Sequence, residues 1–133
     1  MIRPVGFFSE LDPGWGLPLG GLMRDFVRPV GDPDEAEVIG YLRQGVRIWA
    51  EMSAGPDVLD PDADAPVLSG IGSLCTDGVW LWRQDLPYYL SKYHLSLPAE
   101  FLARVRKVRY EVPEVPEAKA REILTRDLGV AMD

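Results

Sequence analysis

The chain has 133 residues, with 14 basic and 21 acidic side chains, one His and one Cys. A single Cys excludes an internal disulfide, one Cys and one His do not make a zinc ligand set, and no apolar run approaches the ~20 residues a membrane helix needs. Residues 31–66 carry nine acids against two bases, an excess that equals the formal net charge of −7, repels phosphate backbones and attracts a basic protein.

The expectation is therefore one domain over 1–133, cytoplasmic, with no nucleic-acid partner, no membrane contact and no cofactor or metal. Residues 1–31 are rich in Pro and Gly yet hold Phe7, Phe8, Leu11, Trp15, Leu17, Leu19, Leu22, Met23 and Phe26. That composition is too apolar for a free tail and predicts an irregular arm filling the edge of the core, with a helical turn over 22–27. The glycines between Gly14 and Gly21 lack the Lys-Ser/Thr pair of a phosphate loop and read as turns.

The compact body, 32–129, begins at Asp32-Pro33-Asp34-Glu35, which predicts a helix with Asp32 as N-cap and Glu35 in capping-box register. The helix runs to Gln44, ends at Gly45, and turns Val38, Ile39, Tyr41 and Leu42 inward. Residues 46–52 alternate as a strand, with Val46, Ile48, Ala50 and Met52 inward. The following loop holds Asp57, Asp60, Asp62 and Asp64. Its Asp-x-Asp-x-Asp spacing matches half a calcium loop, but Ala65 stands at the glycine position and Ile71 where a bidentate Glu belongs. A solvated acidic loop able to meet a partner is the better reading.

Asp77-Gly78 between apolar runs predicts a hairpin with arms 70–76 and 79–83 around a type I′ turn. On the second arm Trp80 and Trp82 share one face while Val79, Leu81 and Arg83 share the other, so both faces call for cover. Asp85 is placed to cap a helix with Pro87 in its first turn, and Leu86, Tyr89, Leu90 and Tyr93 form its apolar stripe. Of Tyr88 and Tyr89 only one can face inward. A second helix from Pro98 buries Phe101, Leu102, Val105 and Val108. Residues 110–112 then suit a short edge strand, and a last helix from Glu117 to Leu128 docks loosely through Ala120, Ile123, Leu124 and Leu128.

Catalytic chemistry is poorly represented. A Cys75–His94 dyad is compatible with the spacing, Gly70-Ile71-Gly72-Ser73 is not a nucleophile elbow, and Glu51 with a loop aspartate is the acid–base pair to name. No catalytic residue is assigned. Exposed Trp and Tyr dominate binding hot spots, so Trp80, Trp82 and Tyr88 join the four aspartates as candidate partner-binding residues; buried, the same rings would be core.

The run Thr76-Asp77-Gly78-Val79-Trp80-Leu81-Trp82, followed by Asp85-Leu86, Tyr89, Tyr93-His94 and Leu97-Pro98 with Phe101, resembles a motif of small, functionally uncharacterised actinobacterial proteins. It is also similar to segments of immunity proteins that neutralise polymorphic toxins. The resemblance spans about a third of the chain, excludes the amino-terminal arm and carries no catalytic residue.

The expected fold is α+β: a small antiparallel sheet of the 46–52 strand and the 70–83 hairpin, covered by three or four helices. The expected function is non-catalytic protein binding of the immunity or antitoxin kind, with an acidic face against a basic partner. A small enzyme or ligand-binding protein with a pocket lined by Trp80, Trp82 and Tyr89 is the alternative, and a homodimer burying the aromatic surface is a third possibility.

Overall fold

The computed structural model describes residues 1–60, 62 and 67–131. Its centre is the Trp-Leu-Trp-Arg strand. This strand, β6 (Trp80–Arg83), is buried at every residue and pairs antiparallel with β5 (Leu74–Thr76) and parallel with β1 (Arg3–Pro4). β5 pairs in turn with β2 (Val46–Trp49), giving the order β1-β6-β5-β2. The short pair β3 (Ala54–Gly55) and β4 (Leu68–Ser69) forms a separate ribbon. Among the described residues four α-helices complete an α+β fold: α1 (Glu35–Gln44), α2 (Leu86–Tyr93), α3 (Ala99–Lys107) and α4 (Glu117–Glu122). No helix of the described residues is long and apolar enough to cross a membrane.

Alternation along β6 divides the interior in two. Trp80 and Trp82 face α1, α2 and α3, where Tyr41, Leu42, Leu86, Tyr89, Leu90, Phe101 and Val105 close over them. Phe101 is the hub, with its ring centroid 5.4 Å from Trp80, 5.9 Å from Trp82 and 6.2 Å from Tyr41, each pair edge-on as ring quadrupoles favour. Trp82 keeps its one donor satisfied by giving Nε1–H to the Leu42 carbonyl at 3.0 Å. Leu81 and Leu74 face the other way, into a second cluster built from the arm (Ile2, Phe7, Leu17) and the carboxy-terminal segment (Ile123, Leu124, Leu128). The two-sided cover expected of β6 is therefore present, and the arm supplies much of one side.

The sheet is mixed rather than antiparallel, because the arm contributes a parallel edge strand that the Pro/Gly-rich composition hides. β2 stops at Trp49 and bulges between Arg47 and Trp49. It is an edge strand, and the bulge sets Trp49 opposite Leu74. Val46, Ala50 and Met52 stand exposed instead of inward. Residues 110–112 form no strand: Arg109 and Tyr110 take positive φ of 54° and 62°, and the Tyr110 N–H closes back on the Val105 carbonyl. The last helix is firmly seated, with Ile123 fully buried in a π-helical turn (Ile123–Asp127) and Asp127 accepting the Ile2 N–H.

Three local expectations are also corrected. Asp77 does not adopt the positive φ that a type I′ turn requires; only Gly78 does, at 95°. The carboxylate holds the turn instead, Oδ1 accepting the Val79 and Trp80 N–H groups at 2.9 and 2.7 Å. Asp85 makes no side-chain cap, because both its oxygens accept from Arg83 in a buried bidentate pair. α1 begins after Asp34 rather than Asp32, and both aspartates face Arg106.

Candidate binding cleft

A cavity lies at the outer edge of β1, between the arm and the segment leading into α3. Its volume is about 570 Å³, within the range of ligand pockets, ~300–1,000 Å³. Val5, Phe7, Phe8 and Trp80 are the buried walls, Leu17 and Leu97 close the two sides, and the exposed Met1, Leu19 and Pro98 stand at the lip.

The local sequence explains why a hollow forms here. β1 is held on one side only, by Arg3 N–H to the Val79 carbonyl and Val5 N–H to the Leu81 carbonyl. The arm then loops away through a 3-10 turn, Ser9–Leu11, returns at Gly20, whose N–H donates to the Phe7 carbonyl at 2.9 Å, and enters a second 3-10 turn, Met23–Phe26. Glu10 ties the return, its carboxylate accepting the Met23 and Arg24 N–H groups. Burial alone pushes the Glu10 carboxyl up, but these backbone bonds outweigh it and leave the group below its usual range. On the far side, Ser96 N–H meets the Phe26 carbonyl and fixes the 95–98 segment. Proline at position 4 has no N–H, and the Ile2 N–H is already given to Asp127, so the outer edge of β1 has no donors for an added strand. The cleft suits side groups or small molecules, not a peptide backbone.

An ion pair stands beside the mouth. The Arg3 guanidinium lies over the Trp80 ring, 4.2 Å from its centroid, and pairs with Glu100 at the start of α3. The side chains of both residues are more than half exposed, at 51% and 70%.

The residues singled out from sequence fall elsewhere, with one exception. Trp80 lines the cleft, whereas Trp82 and Tyr89 are interior and border none of it. Asp57 is fully buried, contrary to the exposed acidic position expected. It accepts hydrogen bonds from Tyr93 Oη at 2.7 Å, Tyr88 Oη at 2.8 Å, Lys92 Nζ at 3.0 Å and the Leu59 N–H at 2.8 Å, and so clamps its loop to α2. Burial pushes the Asp57 carboxyl up, but these donors prevail and hold it low; the Tyr93 phenol is pushed up to about 12, by burial first and then by Asp57. Tyr88 is half-buried, Asp60 is half-exposed and shares Lys92 with Asp57, and Asp62 is exposed. Asp64 lies outside the described residues. Trp80 and Trp82 are themselves buried, at 4% and 0% exposure.

The residues named for catalysis have other neighbours. The Cys75 thiol is buried on β5 and pushed up to about 11 by burial, while His94 Nδ1 lies 2.9 Å from Glu35 Oε1 across the end of α2. Glu51 accepts from Trp49 Nε1 and borders a smaller hollow of about 200 Å³ with Asp12 and Arg83, away from Asp57. The cleft itself escaped sequence reasoning, although a signal existed: Ile2, Val5, Phe7 and Phe8 concentrate apolar side chains in the first eight residues, inside a stretch that proline and glycine mark as irregular.

No protein-family model, curated protein or solved structure matches this chain.

Proposed function

We propose that this chain is a non-catalytic binding protein whose seat is the cleft beside β1, and that its ligand presents an apolar group. The observation that carries the reading is a hollow of about 570 Å³ walled by buried aromatic and aliphatic side chains and open at the lip. Apolar concavities with few polar groups are where small ligands gain most from leaving water. Titration with the neutral apolar dye Nile red tests it. Saturable one-to-one binding is expected, and Gly20→Phe should abolish it, since a Cβ at Gly20 meets only ordinary contacts at 4.0 Å and the added ring would fill the hollow. Unchanged dye affinity in a folded Gly20→Phe variant would overturn the reading.

A protein partner at the acidic loop is the second reading, supported by Asp60, Tyr88 and Lys92 forming one partly exposed cluster next to Asp62. In this reading the chain acts like an immunity protein, its acidic face meeting a basic partner. Asp57 is a poor probe of it, being part of the loop's anchor. Asp60→Asn with Asp62→Asn is the suitable variant, and an association rate with an identified basic partner that ignores both the substitution and added salt would overturn this second reading.

A further inference from the structure

The geometry points to an amphipathic carboxylate, an apolar tail ending in an acid group, as the ligand class of the cleft; this rests on the reading of the cleft as a binding seat. Three features converge. The interior is walled mainly by apolar side chains, so a tail is what it accommodates. The mouth carries a guanidinium over Trp80, 4.2 Å from the ring centroid, on a side chain that is half exposed. That guanidinium is already engaged by a carboxylate, Glu100, from the first turn of α3.

Glu100 therefore marks where an acid group can sit and competes for the same donor. Exposed pairs of this kind contribute little, so exchange for an incoming carboxylate costs little, while a ligand bringing its own tail gains the burial that Glu100 cannot. The arm that carries Arg3 is also electrically neutral: residues 1–30 hold three bases and three acids, away from the acidic 31–66 block. An anion approaching this mouth does not meet the field that the rest of the surface would impose. Phosphate-bearing headgroups are less well served, since Arg3 is the one basic residue among those lining the cleft.

Displacement of Nile red by dodecanoate and by dodecanol, below their aggregation concentrations, separates the charge contribution from the tail. Dodecanoate is expected to bind about tenfold more tightly than dodecanol, equivalent to ~1.4 kcal/mol. Arg3→Gln should erase that preference while leaving dodecanol within about twofold, and Glu100→Gln should tighten dodecanoate about threefold by removing the competitor. Both side chains are exposed, so neither variant threatens the core, and the two shifts are opposite in sign. Equal binding of the acid and the alcohol, unaltered by either substitution, would overturn the carboxylate inference and leave the apolar seat standing. Binding of neither, with no Nile red site, would remove both.

Discussion

Asp77 ties together distant parts of this fold. Its Oδ1 organises the hairpin turn and its Oδ2 accepts the Tyr41 hydroxyl at 2.5 Å and Arg104 Nε at 3.1 Å, so one carboxylate joins β6 to α1 and α3. Asp77→Ala removes an acceptor from four donors and leaves the Tyr41 hydroxyl buried without a partner; a loss of about 3 kcal/mol is expected from urea midpoints. The Asp-Gly pair announces a turn at this place, but nothing local foretells that Asp77 reaches residues 36 and 27 positions away. Asp57 is similar: among loop aspartates it reads as solvated, and only the folded α2 shows why it is not. Its carboxyl is held low in the folded state, as is Asp34, lowered to about 2 chiefly by the Arg106 hydrogen bond. A depressed folded-state pKa gives stability that is complete above the unfolded value, about 3.9, and is lost as pH falls through the folded one. Melting temperature should therefore fall steeply between about pH 4 and pH 2, and Asp57→Asn should flatten part of that fall. Asp85 works the other way: burial raises it against the pull of Arg83, so its contribution favours folding at low pH and fades as pH rises.

Elements behave as their own periodicity dictates except where a neighbour overrides it. α2 and α3 present the expected stripes, with Leu86, Tyr89 and Leu90 and then Phe101 and Val105 buried. The α1–β2 junction is legible as a glycine stop, but for a different reason than helix capping. Gly45 has an unexceptional φ of −51°, and it is required because Trp82 lies against it: a Cβ there would run into the indole and come within 3.0 Å of Cys75 Cβ. Gly45→Ala is expected to cost about 1–3 kcal/mol by overpacking, with a matching drop in melting temperature, whereas Gly40→Ala, in open space on α1, should stabilise by about 0.5–1 kcal/mol. The arm was the least legible element. Its prolines and glycines correctly exclude long regular structure, yet two residues suffice for β1, and pairing of Arg3 with Trp80 across 77 positions leaves no local trace.

At the scale of the whole molecule, the α+β class and the two-sided burial of the tryptophan strand follow from alternation and turn chemistry, both short-range properties. The cleft does not, because it exists only where the arm, β1 and the 95–98 segment meet. The acidity of the chain is likewise partly internal business: Asp32, Asp34, Asp57 and Asp60 are paired with Arg28, Arg106 and Lys92, so net charge overstates the field a partner would meet. Backbone amide NMR during a dodecanoate titration tests the cleft most directly, since it reports on both candidate surfaces at once. Shifts concentrated at Ile2 to Phe8, Leu17 to Gly20 and Leu97, and absent from Asp57 to Asp62 and Tyr88, are the predicted result. Saturable shifts centred on the acidic loop, or no saturable shifts at all, would contradict it.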